Sequence, residues 1–137
     1  MLMFTRFLLA PLALVSIAVL TACGGSDTDP NADATKVADQ EPVTTIDLIA
    51  KNNKFNQDIL VVKADSEIKL SLANQDSGVI HNFAVYTDKS AKENIFRGQV
   101  FEGNKTVDET FDAPAAGVYF FRCDAHPDAM TGTLVAK

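Results

Sequence analysis

The chain has 137 residues, a length typical of one domain, and 47% of them are hydrophobic, which is enough for a buried core. Asp and Glu outnumber Lys and Arg by 18 to 12, so the formal net charge is −6. Because this balance is acidic and the cations form no cluster, a nucleic-acid-binding function is excluded and no nucleic-acid partner is expected.

The N-terminal end has the layout of a secretory signal peptide. Residues 1–22 begin with a lone cation, Arg6, continue as an apolar run and end on small residues. A membrane-spanning anchor is the alternative, but Pro11 interrupts the apolar run, and the run is shorter than the roughly 20 residues that a span needs. We therefore predict a signal peptide over residues 1–22 and an exported protein.

The last residues of this segment and the next one, "LTAC", resemble the lipobox of bacterial lipoproteins. The resemblance implies that Cys23 is lipidated and anchors the protein to a bacterial membrane, on its periplasmic or extracellular face. An ordinary signal peptide followed by an incidental cysteine is the alternative. Lipidation of Cys23 would leave Cys123 without a partner for an intramolecular disulfide, although the compartment is oxidising.

Residues 23–42 follow as an acidic linker. They contain several acids, a single cation, Lys36, and no aromatic residue, and their hydropathy has no period. Such a composition is typical of a flexible, self-repelling tether. We therefore predict three parts, namely a signal peptide over 1–22, the lipidated Cys23 with a linker to residue 42, and a folded domain over 43–137.

The folded domain shows the sequence patterns of short β-strands. Alternating or β-branched segments are "VTTIDLIA" (43–50), "DILVVKA" (58–64), "EIKLSLA" (67–73), "HNFAVY" (81–86), "FRGQVF" (96–101), "TVDETFDA" (106–113), "GVYFFRC" (117–123) and "GTLVAK" (132–137). Breaks rich in Asn, Asp, Ser and Gly separate many of them, and one polar segment, "TDKSAKEN" (87–94), is a candidate for a short helix. About seven to eight strands in so short a domain predict an all-β class and an antiparallel sandwich.

Period-2 alternation predicts the direction of two candidate metal ligands. In "GVYFFRC", Cys123 shares a face with Phe121, opposite the face of Arg122. Because an arginine is rarely on the buried side, Cys123 is expected to point inward. The same counting places His81 at the start of a strand, on a core-facing register with Phe83.

Three soft donors lie close together near the C-terminus: Cys123, His126 and Met130 fall within the eight residues "CDAHPDAM". His81, the other histidine of the chain, can join them from a neighbouring strand. Two histidines, one cysteine and one methionine form the ligand set of mononuclear blue-copper sites, which are trigonal His₂Cys centres with a weak axial Met. We predict one copper ion per chain. The alternatives are a core thiol, two ordinary histidines and a methionine that only fills the core.

These residues make the domain similar to the cupredoxins, in particular to small plastocyanin-like and azurin-like proteins of bacteria. The resemblance covers residues 43–137 and is most specific in "HNF", "APAAGVYFFRC" and "CDAHPDAM". It implies a Greek-key β-sandwich and a role for Asn82 in tying the two ligand loops together. The implied ligands are His81, Cys123 and His126 in the equatorial plane and Met130 at the axial position.

Two features depart from the family. Three residues separate His126 from Met130, a spacing between those of the best-known subfamilies, so the length of the bond from Met130 to copper is open. Asp124 follows the cysteine, where relatives often carry a small polar residue or a proline. This acid would either lower the reduction potential of the copper or point to solvent.

The expected function is the transfer of single electrons between transient redox partner proteins by a monomer, and no enzymatic activity is expected. His126 would be the exposed edge of the site, with Pro127 and Ala129 as an apolar docking patch and Asp124 and Asp128 steering a basic partner. The alternative is a copper carrier or scavenger without electron transfer. Such a protein would favour further Met or His residues near the site, which this chain lacks once its signal peptide is removed.

Overall fold

A computed structural model describes residues 37–137 of the chain. The predicted signal peptide (1–22), the predicted lipidation site Cys23 and most of the predicted linker lie outside these residues. Within the described part, no helix has both the length and the apolar character that crossing a membrane requires.

The described residues form eleven strands, of which three have only two residues. In chain order the strands are β1 (Thr45–Lys51), β2 (Lys54–Phe55), β3 (Ile59–Val62), β4 (Glu67–Asn74), β5 (Ile80–His81), β6 (Ala84–Tyr86), β7 (Asn94–Arg97), β8 (Phe101–Glu102), β9 (Lys105–Asp112), β10 (Gly117–Arg122) and β11 (Thr131–Ala136). The predicted all-β class is confirmed. Only β2 lies wholly inside a segment that we predicted to be a break.

The strands form two larger sheets and one short pair. One sheet has the order β2-β1-β4-β9, the other has the order β3-β11-β10-β6-β7, and β5 pairs with β8. The predicted sandwich is confirmed, but it is not wholly antiparallel, because β1 pairs with β4, and β3 with β11, in parallel. β3, which lies between β1 and β4 in the chain, belongs to the second sheet. The chain therefore reverses direction twice before β4 returns beside β1, and the two strands run the same way.

The core lies between the sheets and follows the predicted alternation. Ile68, Leu70 and Leu72 of β4 are buried, whereas Glu67 and Lys69 on the other face are exposed. Complete burial of each side chain of this size stabilises the fold by about 1.5–3 kcal/mol. The same cluster of buried residues includes Cys123 and Met130, so the core extends to the candidate ligands.

The prediction of a short helix as a candidate for residues 87–94 is wrong. The carboxylate of Asp88 accepts a hydrogen bond from the Ser90 N–H at 2.7 Å, and its carbonyl accepts one from the Ala91 N–H at 3.1 Å. Ala91 has a φ of 51°, in the left-handed region that an α-helix does not include. Local bonding by Asp88 therefore makes the segment a turn between β6 and β7.

The segment predicted as one strand over 81–86 is divided at Asn82 and Phe83. β5 pairs with β8, with His81 opposite Phe101, whereas β6 pairs with β10 and β7. Both residues at the break are fully buried, so the chain passes through the interior as it changes partners. This change of partners places His81 at one end of the sandwich.

Candidate metal centre

The three predicted equatorial ligands lie together at this end of the sandwich. His81 belongs to β5, Cys123 follows β10, and His126 lies in the loop before β11. Their ligand atoms are all within 4.8 Å of one another. Cys123 Sγ is 3.7 Å from His81 Nδ1 and 3.8 Å from His126 Nδ1. His81 and Cys123 are fully buried, and His126 is partly exposed.

Backbone hydrogen bonds close the loop that carries the other donors. The Cys123 N–H donates to the Met130 carbonyl at 2.9 Å, and the Met130 N–H donates to the His126 carbonyl at 3.0 Å. These bonds hold the two ends of the loop side by side where β11 begins. Met130 is fully buried, in the same hydrophobic cluster as Cys123. The fourth predicted donor therefore lies at the same end of the core as the other three.

The spacing of the donors fits one transition-metal ion. Metal bonds of about 2.0 Å to an imidazole nitrogen and about 2.3 Å to a thiolate sulfur, at an angle of about 120°, place nitrogen and sulfur about 3.7 Å apart. The two Sγ–Nδ1 separations, 3.7 and 3.8 Å, match such a trigonal centre. Because thiolate, imidazole and thioether are soft enough for copper, the donor set fits a single copper ion. Its members are His81, Cys123, His126 and Met130.

Asp76 contacts the candidate ligand His81 and was missed in the sequence. Its Oδ2 lies 2.9 Å from Nε2, the ring nitrogen that does not face Cys123. The backbone N–H groups of Asn53 and Asn52 donate to the same carboxylate at 3.0 and 2.6 Å. These bonds, followed by the His81 contact, lower the pKa of Asp76 to about 2, so the carboxylate is ionised at neutral pH. The available sequence signal was an acid five residues before a histidine.

Asn82 lies between the two segments that carry the candidate ligands. Its Oδ1 accepts a hydrogen bond from the Asp124 backbone N–H at 2.7 Å, and its Nδ2 donates to the Gly98 carbonyl at 3.3 Å. Since Asn82 follows His81 and Asp124 follows Cys123, the first of these bonds directly links the two segments. The side chain is fully buried, so water cannot replace the bonds.

The side chain of Asp124 is held by two ion pairs and does not point freely to solvent. Oδ2 is 3.0 Å from Arg97 Nε, Oδ1 is 2.9 Å from Arg122 Nε, and the Tyr86 hydroxyl donates to Oδ1 at 2.6 Å. Burial alone would raise the pKa of Asp124, but the hydrogen bonds from Tyr86 and Arg122 lower it below its ordinary value. Because two guanidinium groups compensate its charge, Asp124 is poorly suited to steering a basic partner.

Replacing Asn82 with alanine is expected to lower the free energy of unfolding of the metal-free protein by about 1–3 kcal/mol. The reason is that the Asp124 N–H and the Gly98 carbonyl lose their buried side-chain partner. Urea unfolding followed by circular dichroism measures the change. Asn94→Ala is the matched control, since the Asn94 side chain also makes two hydrogen bonds to the backbone, both as a donor to carbonyls, but is exposed. Equal losses in the two variants would contradict the prediction.

The sequence profile of the cupredoxin-like domain family matches residues 13–136 of this chain. The chain belongs to this family. The resemblance noted in the sequence is thereby confirmed, and the two-sheet fold of this cupredoxin agrees with it.

Several solved structures are similar to this cupredoxin. A dithionite-reduced auracyanin from the photosynthetic bacterium Roseiflexus castenholzii has a TM-score of 0.65 at 19% identity, over 71% of this chain and 99% of its own. Auracyanin A from the green thermophilic photosynthetic bacterium Chloroflexus aurantiacus, described as a "blue" copper protein, has a TM-score of 0.60 at 26% identity, over 71% and 100%. An amicyanin from Paracoccus versutus has a TM-score of 0.51 at 21% identity, over 74% and 88%. No curated protein matches the sequence.

Proposed function

We propose that this cupredoxin is a mononuclear blue (type 1) copper protein that carries single electrons between redox partners. The observation that carries the proposal is the triangle of Cys123 Sγ with the Nδ1 atoms of His81 and His126. These three side chains would hold the copper ion, with Met130 as a fourth donor. The bound copper supplies a reversible one-electron change. The likeness to auracyanin A, itself a "blue" copper protein, supports this assignment.

The candidate ligands are held by contacts that are formed without the metal. His81 is fixed by the β5–β8 pair and by the carboxylate of Asp76. Cys123 follows directly on β10, and its N–H is bonded to the Met130 carbonyl. Sites supported by strands and by outer hydrogen bonds keep their geometry better than sites on free loops. Such a site would rearrange little between two oxidation states, which favours electron transfer over delivery of the metal.

His126 would be the edge through which electrons pass, because it is the partly exposed ligand. Pro127 and Ala129, in the same loop, are exposed. Ile80 and Val100, at the β5–β8 pair, are 48% and 52% exposed although both are large hydrophobic residues. A small apolar surface around a ligand suits brief contacts with redox partner proteins. Exposed Asp128, unlike Asp124, would remain free to steer a basic partner.

The proposed arrangement of the whole chain follows from the sequence. The signal peptide over 1–22 is removed, Cys23 is lipidated, and the linker to residue 42 joins the lipid to a monomeric domain over 43–137. The protein would then work on the periplasmic or extracellular face of a bacterial membrane.

The place where the linker meets the domain supports exposure of the site to partners. Lys137 Nζ donates to the carbonyls of Val37 and Ala38 at 3.0 and 3.1 Å, so this part of the linker lies at the end of β11. β11 starts beside the candidate site and runs away from it for six residues, which is about 20 Å. The tether would therefore be attached far from the ligands, leaving their end of the sandwich free to dock.

Titration of the purified chain with Cu(II) is expected to produce an intense visible band that saturates at one ion per chain. Ascorbate should bleach the band and a mild oxidant should restore it, because the band reports the thiolate bound to Cu(II). Zn(II) is the control, since it should bind without colour or redox change. A colourless protein that binds only Cu(I) would contradict electron transfer and favour a copper carrier.

A further inference from the structure

The contact between Asp76 and His81 indicates a further role for Asp76, which rests on the proposed function. We propose that Asp76 is a positioning residue, which keeps Nδ1 of His81 available to the metal and lowers the reduction potential of the bound copper. Its carboxylate does not face the donor triangle directly. It acts through Nε2, on the opposite side of the imidazole ring.

The protonation of the His81 ring follows from this contact. Both oxygens of the Asp76 carboxylate already accept hydrogen bonds from backbone N–H groups, so in the 2.9 Å contact Asp76 is the acceptor and Nε2 of His81 is the donor. In a neutral imidazole the other nitrogen then carries the lone pair. That nitrogen is Nδ1, which lies 3.7 Å from Cys123 Sγ. Asp76 therefore selects the tautomer that can bind a metal in the donor triangle.

Asp76 is itself held in place by three backbone contacts. Asn52 and Asn53, both with a φ of 54°, direct consecutive N–H groups at its carboxylate. Its own N–H donates at 3.0 Å to Oδ1 of Asn74, a buried residue. A Cβ added at Gly103 would overlap the Asp76 carbonyl oxygen, so the neighbouring loop also fits closely against it. A carboxylate with this many supports is part of a built site and not a mobile surface acid.

Asp76 and Asp124, the two acids beside the site, differ in whether neighbouring cations compensate their charge. Asp124 is paired with Arg97 and Arg122, which compensate its charge. Over residues 37–137, Asp76 has no Lys or Arg partner, and its carboxylate is hydrogen-bonded to the neutral ring of His81 instead. A carboxylate bonded to a ligand histidine raises the basicity of that ligand. A more basic ligand favours Cu(II) over Cu(I), and the reduction potential falls.

Asp76→Asn is the test, because it keeps the shape of the side chain but removes the charge. An amide has one acceptor oxygen, so it cannot accept from His81, Asn52 and Asn53 as the carboxylate does. We expect the ratio of Cu(II) to Cu(I) affinity to fall about tenfold. For a one-electron couple this is a rise in reduction potential of about 59 mV. Potentials are measured by redox titration of the visible band.

Glu102→Gln is the matched control. It removes the same charge from an exposed residue opposite Ile80 in the β5–β8 pair. A rise in potential confined to Asp76→Asn supports the proposal. Equal shifts in the two variants, or no shift in either, would overturn it. Asp76 would then affect the reduction potential only as any nearby negative charge does, or not at all. If the unsubstituted chain shows no copper band, the proposed function fails instead.

A second measurement uses the metal-free, unsubstituted protein, and so does not depend on how the variant folds. Nitrogen-15 NMR of the histidine rings distinguishes the two neutral tautomers. We expect His81 to carry its proton on Nε2, with that proton protected from exchange by Asp76. A proton on Nδ1 would overturn the proposal, whatever the variants do.

Discussion

Replacing Cys123 with serine is expected to abolish the visible band of the copper-loaded protein. The band requires a thiolate bound to Cu(II), and a serine hydroxyl is not ionised at neutral pH. Cys123 is the cysteine that the structure places beside His81 and His126. No neighbouring thiol in residues 37–137 can replace it. The loss should therefore be complete, and absorption spectra at equal copper occupancy would measure it.

Met130→Leu is the control for Cys123→Ser, because it changes another predicted ligand while keeping three donors. Leucine has a similar volume, and such exchanges in a core cost less than about 1.5 kcal/mol. The band should survive in this variant, with a raised reduction potential because the predicted thioether donor is lost. Circular dichroism checks that both variants are folded. A band that persists in folded Cys123→Ser would show that the thiolate is not a ligand.

Replacing Phe83 with alanine is expected to lower the free energy of unfolding by about 3–5 kcal/mol, the usual cost of removing a buried aromatic side chain. Phe83 is fully buried, and its ring centroid lies 5.2 Å from that of Phe121 and 6.1 Å from that of Phe111. It therefore joins β10 to β9 across the sandwich. Since domains are stable by only about 5–15 kcal/mol, this loss is a large fraction of the total.

Urea unfolding of the metal-free protein measures the effect of Phe83→Ala, which separates core stability from metal binding. The control is Val118→Ala, which also shortens an apolar side chain but at a position that is 69% exposed. Its effect should stay within about 0.5 kcal/mol. A loss below about 1 kcal/mol in Phe83→Ala would mean that the aromatic cluster does not hold the sheets together.

Local patterns predicted most of the strands and the direction of their side chains. Alternation placed Phe121 and Cys123 on the buried face of the strand predicted over 117–123, and both are fully buried. It also placed His81 and Phe83 inward, and both are fully buried, but Asn82 between them is buried too because the strand is interrupted there. The prediction for Phe121 and Cys123 succeeded because the period of a strand is a property of neighbouring residues and needs no knowledge of distant contacts.

Most of the predictions that failed depended on contacts between distant parts of the chain, and one failed partly because of local hydrogen bonds. The parallel pairing of β1 with β4 arises because β3 lies in the other sheet, which no local pattern reveals. The helix considered for residues 87–94 was lost to local bonds from Asp88 and to the pairing of β6 with β7 on either side. The ion pair of Asp124 with Arg97 and its hydrogen bond from Tyr86 join strands far apart in sequence, so these two partners carried no signal.

The sequence by itself determined the chemistry of the candidate centre, because residue types set which donors exist and how soft they are. It also determined that Cys123, His126 and Met130 share one loop. Only the tertiary structure decided how the donors meet, since His81 and Cys123 are 42 residues apart and come within 3.7 Å through the packing of β5 against the end of β10. The structure alone also placed Asp76 behind His81, because that contact depends on a loop held by Asn52 and Asn53 from another strand connection.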